Sequence, residues 1–421
     1  MDKSAHQIDR DLFYKKIPHF WYDLYGTEYA LYDIKRVSSS FIKEVRHAAE
    51  CVGNIFWKTN QLVSQLDDKV LEQLGFPNKL IPYLKTPSLD EQCVIGRLDF
   101  AVSNNQIKLL EFNADTPTFI KETFYINELI CNHFQCKNPN HAEEEKLQKA
   151  IRRAIALAWR NLGRSGDPKV VFTSHGDHEE DLWTTKYLME LSGIAAEYVS
   201  LEDLLILEHS SLKDGREEGI YTPEGERIDV LYRQTYPLEH LIEDRDPESG
   251  TPVGTIFLAF IKQKKLAMIN PISAFLMQSK AIQALIWGLH SRNHPFYSSQ
   301  EHDIINTYFL PTYLDPDPFQ AKGEAYVKKP SFGREGDTVE IWNQHGEKWM
   351  EDNNKTYDDS LPVYQKFVPL MDSIVQTIQG KKPVKIMFGC FLVNGKPSSI
   401  GIRAGGQITD NASYYLPIGL E

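Results

Sequence analysis

The sequence contains no long apolar run and no excess of basic residues. No stretch reaches the roughly 18 apolar residues that a helix needs to cross a bilayer, and the polar N-terminus MDKSAHQIDRDLFYKK lacks the apolar core of a signal peptide. The net charge of −12 argues against a general binder of nucleic acid or of anionic membranes. We therefore expect a cytoplasmic protein without either kind of partner.

Cysteine is also scarce. The five cysteines are an odd number spread along the chain, which suits a reducing compartment better than a disulfide framework. Cys131 and Cys136, with His133 between them and His141 beyond, are compatible with a zinc site or with free thiols in a loop; no second close ligand pair accompanies them, which favours free thiols. The other cysteines lie among apolar neighbours and are expected in the core: Cys51, Cys93 and Cys390.

The composition is otherwise that of an ordinary globular protein. With 421 residues, 42% hydrophobic and 25% charged, the chain is long enough for two or three sub-domains. Residues 167–237 alternate strand, helix and strand, and short strands with Gly-rich turns follow from about residue 305. These patterns predict a mixed α/β and α+β fold. Apolar periodicity predicts helical segments over 38–58, 60–74, 120–132, 142–163 and 254–291, the last with a break at Asn270.

Residues 97–118, RLDFAVSNNQIKLLEFNADTPT, begin with a predicted β-hairpin. An odd-membered loop over residues 104–106 separates polar from apolar side chains onto two faces, whereas a two-residue loop over Asn104 and Asn105 mixes them. Because burial favours separated faces, we predict the odd-membered loop, with these cross-strand pairs: Arg97 with Asn113, Leu98 with Phe112, Asp99 with Glu111 and Phe100 with Leu110.

The polar face of this hairpin collects Asp99, Glu111 and Asn113 beside Arg97. Like charges directly opposite each other destabilise a bare sheet. A hard divalent cation such as Mg²⁺ compensates them, since it prefers oxygen ligands. An exposed face on which Arg97 neutralises one carboxylate does so as well. The pattern alone leaves both interpretations open.

A second constellation lies in YVKKPSFGREGDTVEIW, residues 326–342. A predicted strand delivers Lys328 and Lys329, and the loop 331–336 carries two glycines around Arg334. Gly-rich backbone brings several N–H groups close to phosphate oxygens, while lysine and arginine supply positive charge. The segment lacks the G-K-[ST] ending and the following helix of a Walker A loop. An ordinary β-turn is therefore the alternative interpretation.

Two later strands carry further candidates. VYQKFVP, residues 363–369, is a strand whose backbone, if it lies between two lobes, is suited to the polar rim of an adenine. IGIRAGGQITDN places Arg403 between an apolar strand and a flexible loop that contains two glycines. A surface salt bridge is the alternative role for Arg403.

Together these motifs resemble the synthetase domain of glutathionylspermidine synthase, an ATP-grasp amide ligase, and its bacterial homologues. That family shows Arg-x-Asp-Phe and later Glu-[Phe/Tyr]-Asn-Ala-Asp-[Ser/Thr]. This chain has Arg97-Leu-Asp99-Phe and Glu111-Phe-Asn113-Ala-Asp115-Thr116, with the family's 12-residue step from Asp to Glu. The family's Lys-Pro-x-x-Gly-Arg-x-Gly recurs at 329–336. The resemblance runs from about residue 10 to the C-terminus.

The resemblance implies an ATP-grasp-like ligase fold with a pre-ATP-grasp α/β domain. We expect a helical region plus the hairpin over 1–135, the pre-ATP-grasp substrate domain over 136–255 and the ATP-binding region over 256–421. It also implies roles for residues that match the family's motifs. Asp99, Glu111 and Asn113 would hold Mg²⁺, and Arg97 would steady the acyl phosphate and the transition state. Contacts to ATP are expected from Lys280, Lys329, Ser331, Gly333, Arg334, Gly336, Gln365, Lys366 and Phe367.

Substrate contacts follow from the same resemblance. The peptide-like acid is expected at Thr116 and Thr118, and a polyamine-like amine at Glu179 and Glu180, with further peptide contacts at Thr235 and Arg403. The family's bifunctional members carry an N-terminal amidase domain that this sequence lacks, so hydrolysis of a glutathionyl amide is not expected. Threonine stands where the family has serine, and Pro117 lies between the two threonines, which leaves the acid and the amine undetermined.

The expected activity is that of an ATP- and Mg²⁺-dependent carboxylate–amine ligase acting on small molecules through an acyl phosphate; a homodimer is compatible with it. Two alternatives stay open. One is a non-catalytic protein that binds ATP or a peptide on the same fold. The other is a metal-dependent hydrolase that needs no ATP, built on His175, Asp177, His178 and Glu180.

Overall fold

The computed structural model describes residues 4–86, 89, 91–208, 216–234 and 236–421. Helices and strands alternate along most of this length. The α-helices are α1 (Ala5–Tyr14), α2 (Ser39–Val63), α3 (Asp68–Gln73), α4 (Ile81–Leu84), α5 (Asn127–His133), α6 (Glu143–Leu162), α7 (Glu179–Ser192), α8 (Leu238–Leu241), α9 (Val253–Lys262), α10 (Phe275–Gln278), α11 (Ala281–Ser291), α12 (Ser299–Tyr308) and α13 (Asp317–Gln320).

The strands form one parallel sheet and several antiparallel sheets. They are β1 (Asp23–Leu24), β2 (Thr27–Glu28), β3 (Lys35–Val37), β4 (Ile95–Ser103), β5 (Gln106–Asn113), β6 (Val170–Thr173), β7 (Ala196–Tyr198), β8 (Leu205–Leu207), β9 (Gly219–Tyr221), β10 (Val230–Arg233), β11 (Ala267–Ile269), β12 (Thr312–Tyr313), β13 (Tyr326–Pro330), β14 (Glu340–Trp342), β15 (Lys348–Glu351), β16 (Pro362–Lys366), β17 (Met371–Thr377), β18 (Gly380–Val393), β19 (Lys396–Gly405), β20 (Tyr414–Leu416) and β21 (Ile418–Leu420).

The parallel sheet has the order β11-β10-β6-β7 and confirms the α/β unit predicted over 167–237. Strand β6, Val170–Thr173, is buried on both faces, as expected where helices cover both sides of a parallel sheet. The interpretation of 254–291 as mostly helical is right about the break at Asn270 but misses β11, which ends immediately before it. Three apolar residues are too few for periodicity to separate a buried strand from a helix.

The long helix α2 continues where the sequence predicts a break at residue 59. The Thr59 hydroxyl donates to the Ile55 carbonyl at 2.7 Å, inside the helix, and the helix ends only at Val63. Phe56, on its buried face, packs against the rings of Phe112 and Phe309. This helix therefore covers the apolar face of the hairpin.

None of the helices in the described part of the chain is long and apolar enough to span a membrane.

The predicted hairpin lies in a large antiparallel sheet of order β20-β19-β18-β4-β5, with β17 pairing β18. A five-stranded sheet, β12-β16-β13-β14-β15, contains the other predicted motif. Residues 367–370 connect the two sheets, running from β16 to β17. The candidate site lies where these two sheets face each other. The large sheet draws strands from the first and the last of the three domain ranges expected above, so the hairpin is structurally continuous with the C-terminal strands.

The hairpin register confirms three of the four predicted pairs: Arg97 with Asn113, Leu98 with Phe112 and Asp99 with Glu111. The predicted loop is wrong. The turn has two residues, Asn104 and Asn105, both with positive φ (49° and 59°), as in a type I′ turn. Phe100 pairs with Leu109, so Leu110 is an extra residue in a β-bulge. Separating the polar and apolar side chains onto two faces takes one additional residue, and the bulge in β5, rather than the loop, provides it.

Candidate active site

The polar face of the hairpin forms a bonded cluster. Arg97 donates from Nε to Asp99 Oδ1 at 2.7 Å and from Nη2 to Oδ2 at 2.9 Å. Asn113 Nδ2 lies 3.0 Å from Asp99 Oδ2 and 3.3 Å from Glu111 Oε1. The oxygen and nitrogen of an amide exchange places on a flip, so Asn113 is able to add a third oxygen to the two carboxylates. Such a set of hard oxygen donors fits Mg²⁺.

Lys280 and Lys329 place positive charge beside this cluster. Lys280 Nζ lies 3.1 Å from Glu111 Oε2 and donates to the Gly333 carbonyl at 2.7 Å. Burial alone would raise the pKa of Glu111, but Lys280 and then Lys329 hold it at about 2. Burial raises the pKa of Asp99 and outweighs the opposing effect of Arg97. Of the two carboxyl groups, Glu111 is therefore the one that remains ionised to the lower pH.

A glycine on the neighbouring strand makes room for the Arg97–Asp99 pair. Gly389 in β18 lies opposite Asp99. A Cβ at this position would come within 3.0 Å of Arg97 Cδ and 3.2 Å of Asp99 Oδ1. Arg97, only 4% exposed, folds back along this gap and also donates from Nη1 to the Thr118 carbonyl at 2.8 Å. No sequence pattern pointed to Gly389.

Two buried amides that sequence reasoning missed hold the hairpin in place. Gln278 Oε1 accepts from the backbone N–H of Ala114 at 2.7 Å and of Asp115 at 3.2 Å. Asn270 accepts from the N–H of Val94 and Ile95 and donates to the Ile95 carbonyl. Both side chains hydrogen-bond to backbone groups that have no neighbouring strand to pair with. Leaving such groups without a hydrogen bond in a core costs free energy. In the sequence, Asn270 and Gln278 stand out only as polar residues in the otherwise apolar run LAMINPISAFLMQ.

The segment after the hairpin is fixed by the parallel sheet. Arg233, at the end of β10, donates to both oxygens of Asp115 at 2.6 and 2.8 Å, and neither side chain is exposed. Gln234 donates to the Pro117 carbonyl at 2.9 Å. These contacts position Thr116 and Thr118 beside the cluster. The predicted contact Thr235 lies outside the described residues.

The β-bulge links the hairpin to the five-stranded sheet. The carbonyl of Leu110, the bulged residue, accepts from Gln365 Nε2 at 3.3 Å and from Lys329 Nζ at 3.5 Å. Lys329 Nζ also donates to Gln365 Oε1 at 2.8 Å. Burial lowers the pKa of Lys329 to about 8, although Glu111 opposes that effect. Two predicted ATP contacts, Lys329 and Gln365, thus meet beside Glu111.

The glycine-rich loop 331–336 lies between the two sheets. A Cβ on Gly333 would approach Pro330 Cγ to 2.1 Å, and Gly336 (φ 75°) would clash with the Thr409 carbonyl at 2.8 Å, so both positions require glycine. Arg334 Nη2 donates to Thr116 Oγ1 at 3.0 Å. Ser331 is buried, with its N–H bonded to the Leu361 carbonyl, and does not line the cavity under the loop.

That cavity is bounded by the two sheets and the loop. Its polar lining includes Glu111, Lys280, Lys329, Gln365 and Lys366, and its apolar lining includes Val327, Ile341, Leu370 and Met387. The mixture of cationic groups at one end and aliphatic side chains at the other fits a nucleotide. The predicted adenine contact Phe367 lies apart from this lining and packs against Trp349. Strand β16 is flanked by β12 and β13, so both of its edges are already paired and are not available to an adenine.

A second cavity lies over the Arg97–Asp99 cluster and is also lined by Glu111, Thr118 and Arg403. A third, the acidic cavity, shares Thr118 and Arg403 with the second and no lining residue with the first. Tyr25, Tyr29, Thr118, Glu180, Glu335 and Arg403 contribute to its lining. Burial first, and then Glu122 and Asp181, raise the pKa of Glu180 to about 8. Glu179, predicted together with Glu180, is exposed and does not line the cavity. Glu335 was not predicted, because a carboxylate in a phosphate-binding loop has no obvious role from sequence.

Histidine and cysteine do not build a separate metal centre in the described residues. No group of three or more His, Cys, Asp or Glu there is arranged to hold an ion. Neither the segment with Cys131 and Cys136 nor the loop 175–180 therefore forms such a group. All five cysteines are free thiols. Cys93, Cys131 and Cys390 are buried, whereas Cys51, expected in the core, is partly exposed on the outer face of α2.

Residues 7–421 match the family model described as glutathionylspermidine synthase pre-ATP-grasp. The chain belongs to this family. The match covers both motifs and the sheets that carry them, so the likeness is not confined to isolated residues.

Two individual proteins resemble this member of the glutathionylspermidine synthase family. One, named "Putative acid--amine ligase", is from Haemophilus influenzae and is 22% identical over 95% of this chain and 90% of its own length. The other is the apo structure of a glutathione synthetase-like effector from Globodera pallida. It is 11% identical, with a TM-score of 0.55 over 93% of this chain and 90% of that chain. The structural likeness shows that the two share a fold.

The family assignment and the architecture agree. The protein has the mixed α/β and α+β fold of glutathione synthetase-like ligases, with a pre-ATP-grasp domain. It is a ligase that forms carbon–nitrogen bonds.

Proposed function

We propose that this family member is an ATP- and Mg²⁺-dependent carboxylate–amine ligase that forms an amide through an acyl phosphate and releases ADP. The observation that carries the proposal is the continuity of three cavities. The nucleotide cavity shares Glu111 and Gly336 with the cavity over the Arg97–Asp99 cluster. The latter shares Thr118 and Arg403 with the acidic cavity. Nucleotide, acid and amine would therefore meet at one point.

Each ligand has a matching set of residues. Asp99, Glu111 and Asn113 would hold Mg²⁺, which supplies charge neutralisation at the phosphates when it is bound. Candidate contacts to ATP are Lys280 and Lys329 for the phosphates, the loop residues Gly333, Arg334 and Gly336, and Gln365 and Lys366 near the base. Ser331 and Phe367 stay predictions without a contact in the cavity.

The reaction needs no protein nucleophile. An oxygen of the substrate carboxylate attacks the γ-phosphorus of ATP, the bond to the β-phosphate oxygen breaks, and ADP leaves. Arg97, anchored by Asp99, would stabilise the acyl phosphate. The amine nitrogen then attacks the acyl carbon, phosphate departs and the nitrogen loses a proton. Positioning and fixed charge account for catalysis of this kind, and the loop 331–336 would exclude water from the reactive acyl phosphate.

The acid and the amine would approach from opposite sides of Thr118. Thr116, bonded to Arg334, is the candidate contact for a peptide-like acid, together with Arg403. Glu180 is the candidate contact for an amine, since a carboxylate attracts an ammonium group. Thr235 and Glu179 remain predictions, as do the cytoplasmic location, the homodimer and the three domain ranges.

A screen of carboxylate and amine mixtures, read by ADP release and by mass spectrometry of the product, tests the proposal. Glu111→Gln should lower turnover by at least about 100-fold, because it removes the most firmly charged ligand of the cluster. Asp372→Asn is the matched control, since Asp372 is 85% exposed on β17 of the same sheet. Full turnover in Glu111→Gln would refute the metal assignment. Nucleotide binding without turnover in any mixture would favour the non-catalytic alternative.

A further inference from the structure

Arg334, in the glycine-rich loop, has a buried nitrogen without a partner. Its Nη2 donates to Thr116 Oγ1 at 3.0 Å, but its Nε makes no hydrogen bond with the described residues. A buried donor left in this state costs free energy, and more so when it carries charge. Arg97 differs in this respect, because its Nε donates to Asp99 Oδ1 at 2.7 Å. Arg334 therefore lacks the kind of carboxylate partner that orients Arg97.

Glu239, in α8, has the complementary defect. Its Oε2 is buried and accepts no hydrogen bond from the described residues. Burial raises the pKa of Glu239 to about 7, and Arg334 is the group that opposes this rise most. The two side chains are thus close enough to interact, although Arg334 Nε and Glu239 Oε2 are not hydrogen-bonded in this structure.

The other groups around Glu239 do not supply a cation for it. Besides Arg334, the charged and titratable groups are Glu72, Asp115, Arg233, His240, Tyr357 and Asp359. Arg233 donates to both oxygens of Asp115. Burial and then Arg334 lower the pKa of His240, so His240 is neutral at pH 7. Among these described neighbours, Arg334 is therefore the cation available to Glu239.

Glu239 is held by a fixed element, whereas Arg334 lies in a loop. Leu238 and Leu241, on either side of Glu239 in α8, are buried in the core. A cavity lined by Glu239, Phe332 and Ser360 adjoins the loop and leaves room for side chains to move. A change in the conformation of Arg334, rather than of α8, would therefore join the two groups.

We propose that Glu239 is a positioning residue for Arg334: when a nucleotide occupies the cavity under the loop, Arg334 Nε donates to Glu239 Oε2 and the Nη groups are directed at the ligands. This inference rests on the nucleotide binding in the proposed function and deepens it. Arg334 also lines the cavity over the Arg97–Asp99 cluster. The pair would connect the glycine-rich loop to the segment after β10, which already fixes Asp115 and Pro117.

Calorimetric titration of β,γ-imido-ATP with Mg²⁺ into the wild type and Glu239→Gln tests this role. The measurements are made one pH unit below and one above the pKa of about 7 that Glu239 has in the free protein. Because only the ionised carboxylate forms the pair, Glu239→Gln should raise Kd about 10-fold at the higher pH and less than about threefold at the lower. The nucleotide and Lys329 titrate in both proteins alike, so the ratio of the Kd values isolates Glu239.

The Tm of the nucleotide-free protein separates positioning from a structural role. The pKa of Glu239 is raised from 4.5 to about 7, so its carboxylate costs the free fold stability as the pH rises through this range. At the higher pH, Glu239→Gln should therefore not lower Tm, although it weakens nucleotide binding. A lower Tm, or failure to fold, would assign Glu239 to the fold and overturn the inference.

Glu224→Gln is the matched control, because Glu224 is exposed on a turn, and it should change neither Kd nor Tm. Arg334→Met removes the proposed partner. In that background, Glu239→Gln should alter Kd by less than about threefold at either pH, since no pair is left to break. Equal Kd values for the wild type and Glu239→Gln at the higher pH would refute the pairing. A Kd ratio that does not depend on pH, or a full further loss in the Arg334→Met background, would also refute it.

Failure of the ligase function is distinguishable from failure of this inference. If the wild type binds the nucleotide but no mixture of acid and amine releases ADP, the ligase proposal is wrong, and the ratio of Kd values still decides the role of Glu239. If turnover occurs and the ratio stays at one, the inference alone is wrong. Absence of any nucleotide binding refutes both.

Discussion

At the scale of single residues, the candidate site on the hairpin consists of charges that are already paired with one another. Asp99 receives two bonds from Arg97, and Glu111 lies against Lys280. A cation that approaches these carboxylates alone meets a guanidinium and an ammonium group that repel it. A nucleotide reverses the balance, because its phosphates attract the same lysine. We therefore expect metal and nucleotide to bind together more tightly than either binds alone.

His178 lines the acidic cavity and provides a pH-dependent contact there. Its hydrogen bond to Asp181, which outweighs burial, raises the pKa of His178 to about 9. A raised pKa means that the charged imidazolium contributes stability fully below its usual pKa of 6.5 and loses it as the pH rises through about 9. The difference in Tm between the wild type and His178→Gln should therefore be largest below pH 6.5 and vanish above pH 9.

Scanning calorimetry across this pH range measures the effect. His345→Gln is the control, because His345 is exposed on a turn. A Tm difference between the wild type and His178→Gln that grows with pH would contradict the assignment of the charge to His178.

The sequence points to the candidate site residues themselves more clearly than to the residues that support them. Alternation and the family's motif predict Asp99, Glu111 and Asn113, and in the structure Asn113 lies within hydrogen-bond distance of both carboxylates. Gly389 and Asn270 act through contacts with residues far away in the chain, and a single sequence contains no information about such distant pairs. Glu335 was overlooked because its loop was interpreted through its glycines and its arginine.

At the scale of elements, the β-bulge at Leu110 is the most informative departure from prediction. The alternation of polar and apolar residues correctly indicates an extra residue in the hairpin, but it does not indicate the position of that residue. The structure places it next to Glu111, where the freed carbonyl meets Lys329 and Gln365. A bulge thus has two effects: it restores the polar face, and it joins the sheets. Bulges beside functional residues are common for this reason.

Two length changes in the hairpin separate the roles of loop and bulge. Insertion of a glycine between Asn104 and Asn105 should keep turnover within about threefold of the wild type, because the turn is exposed and the register is fixed at the other end. Deletion of Leu110 should lower turnover by more than about 100-fold. The side chains on one side of the deletion must then point to the opposite face of β5, so polar and apolar residues exchange places. ADP release by both variants measures this, and equal loss would contradict the assigned register.

The Asp115–Arg233 pair joins the hairpin to the parallel sheet in a fully buried contact. Asp115→Ala leaves a buried guanidinium without its partner and should lower the free energy of unfolding by about 3–5 kcal/mol. In Asp115→Ala/Arg233→Met, the charge is removed as well, so most of this loss should be recovered. Urea denaturation of the two variants measures the difference. A double variant as unstable as the single one would show that packing, rather than charge, dominates.

At the scale of the whole molecule, the fold class and the order of elements follow from sequence, while the sheet partners do not. The strands predicted around Lys329, around Gln365 and before Arg403 are β13, β16 and β19 in the structure. Local patterns identify them because each is a short apolar run between turns. The pairing of β4 with β18 is beyond such patterns, since strand neighbours distant in sequence are chosen by packing.

Ligand binding between two sheets should stabilise the entire fold. ATP with Mg²⁺ should raise Tm, by mass action, to an extent equivalent to about 2.7 kcal/mol at 100 times its Kd. ATP with EDTA should raise Tm far less, because the phosphates then meet Glu111 and Asp99 without a bridging cation. Thermal unfolding with each ligand alone and with both measures the synergy. Additive shifts would contradict the expected joint binding.

The pairing of β4 with β18 has a consequence for biosynthesis. Residues 95–100 leave the ribosome long before residues 388–393, their partners in the sheet. Throughout that interval one edge of the hairpin has no strand beside it, and unpaired edges promote association between chains. The proposed reaction centre therefore forms only after most of the chain has been synthesised. A premature stop anywhere before β18 should yield an inactive product that depends on chaperones to stay dispersed.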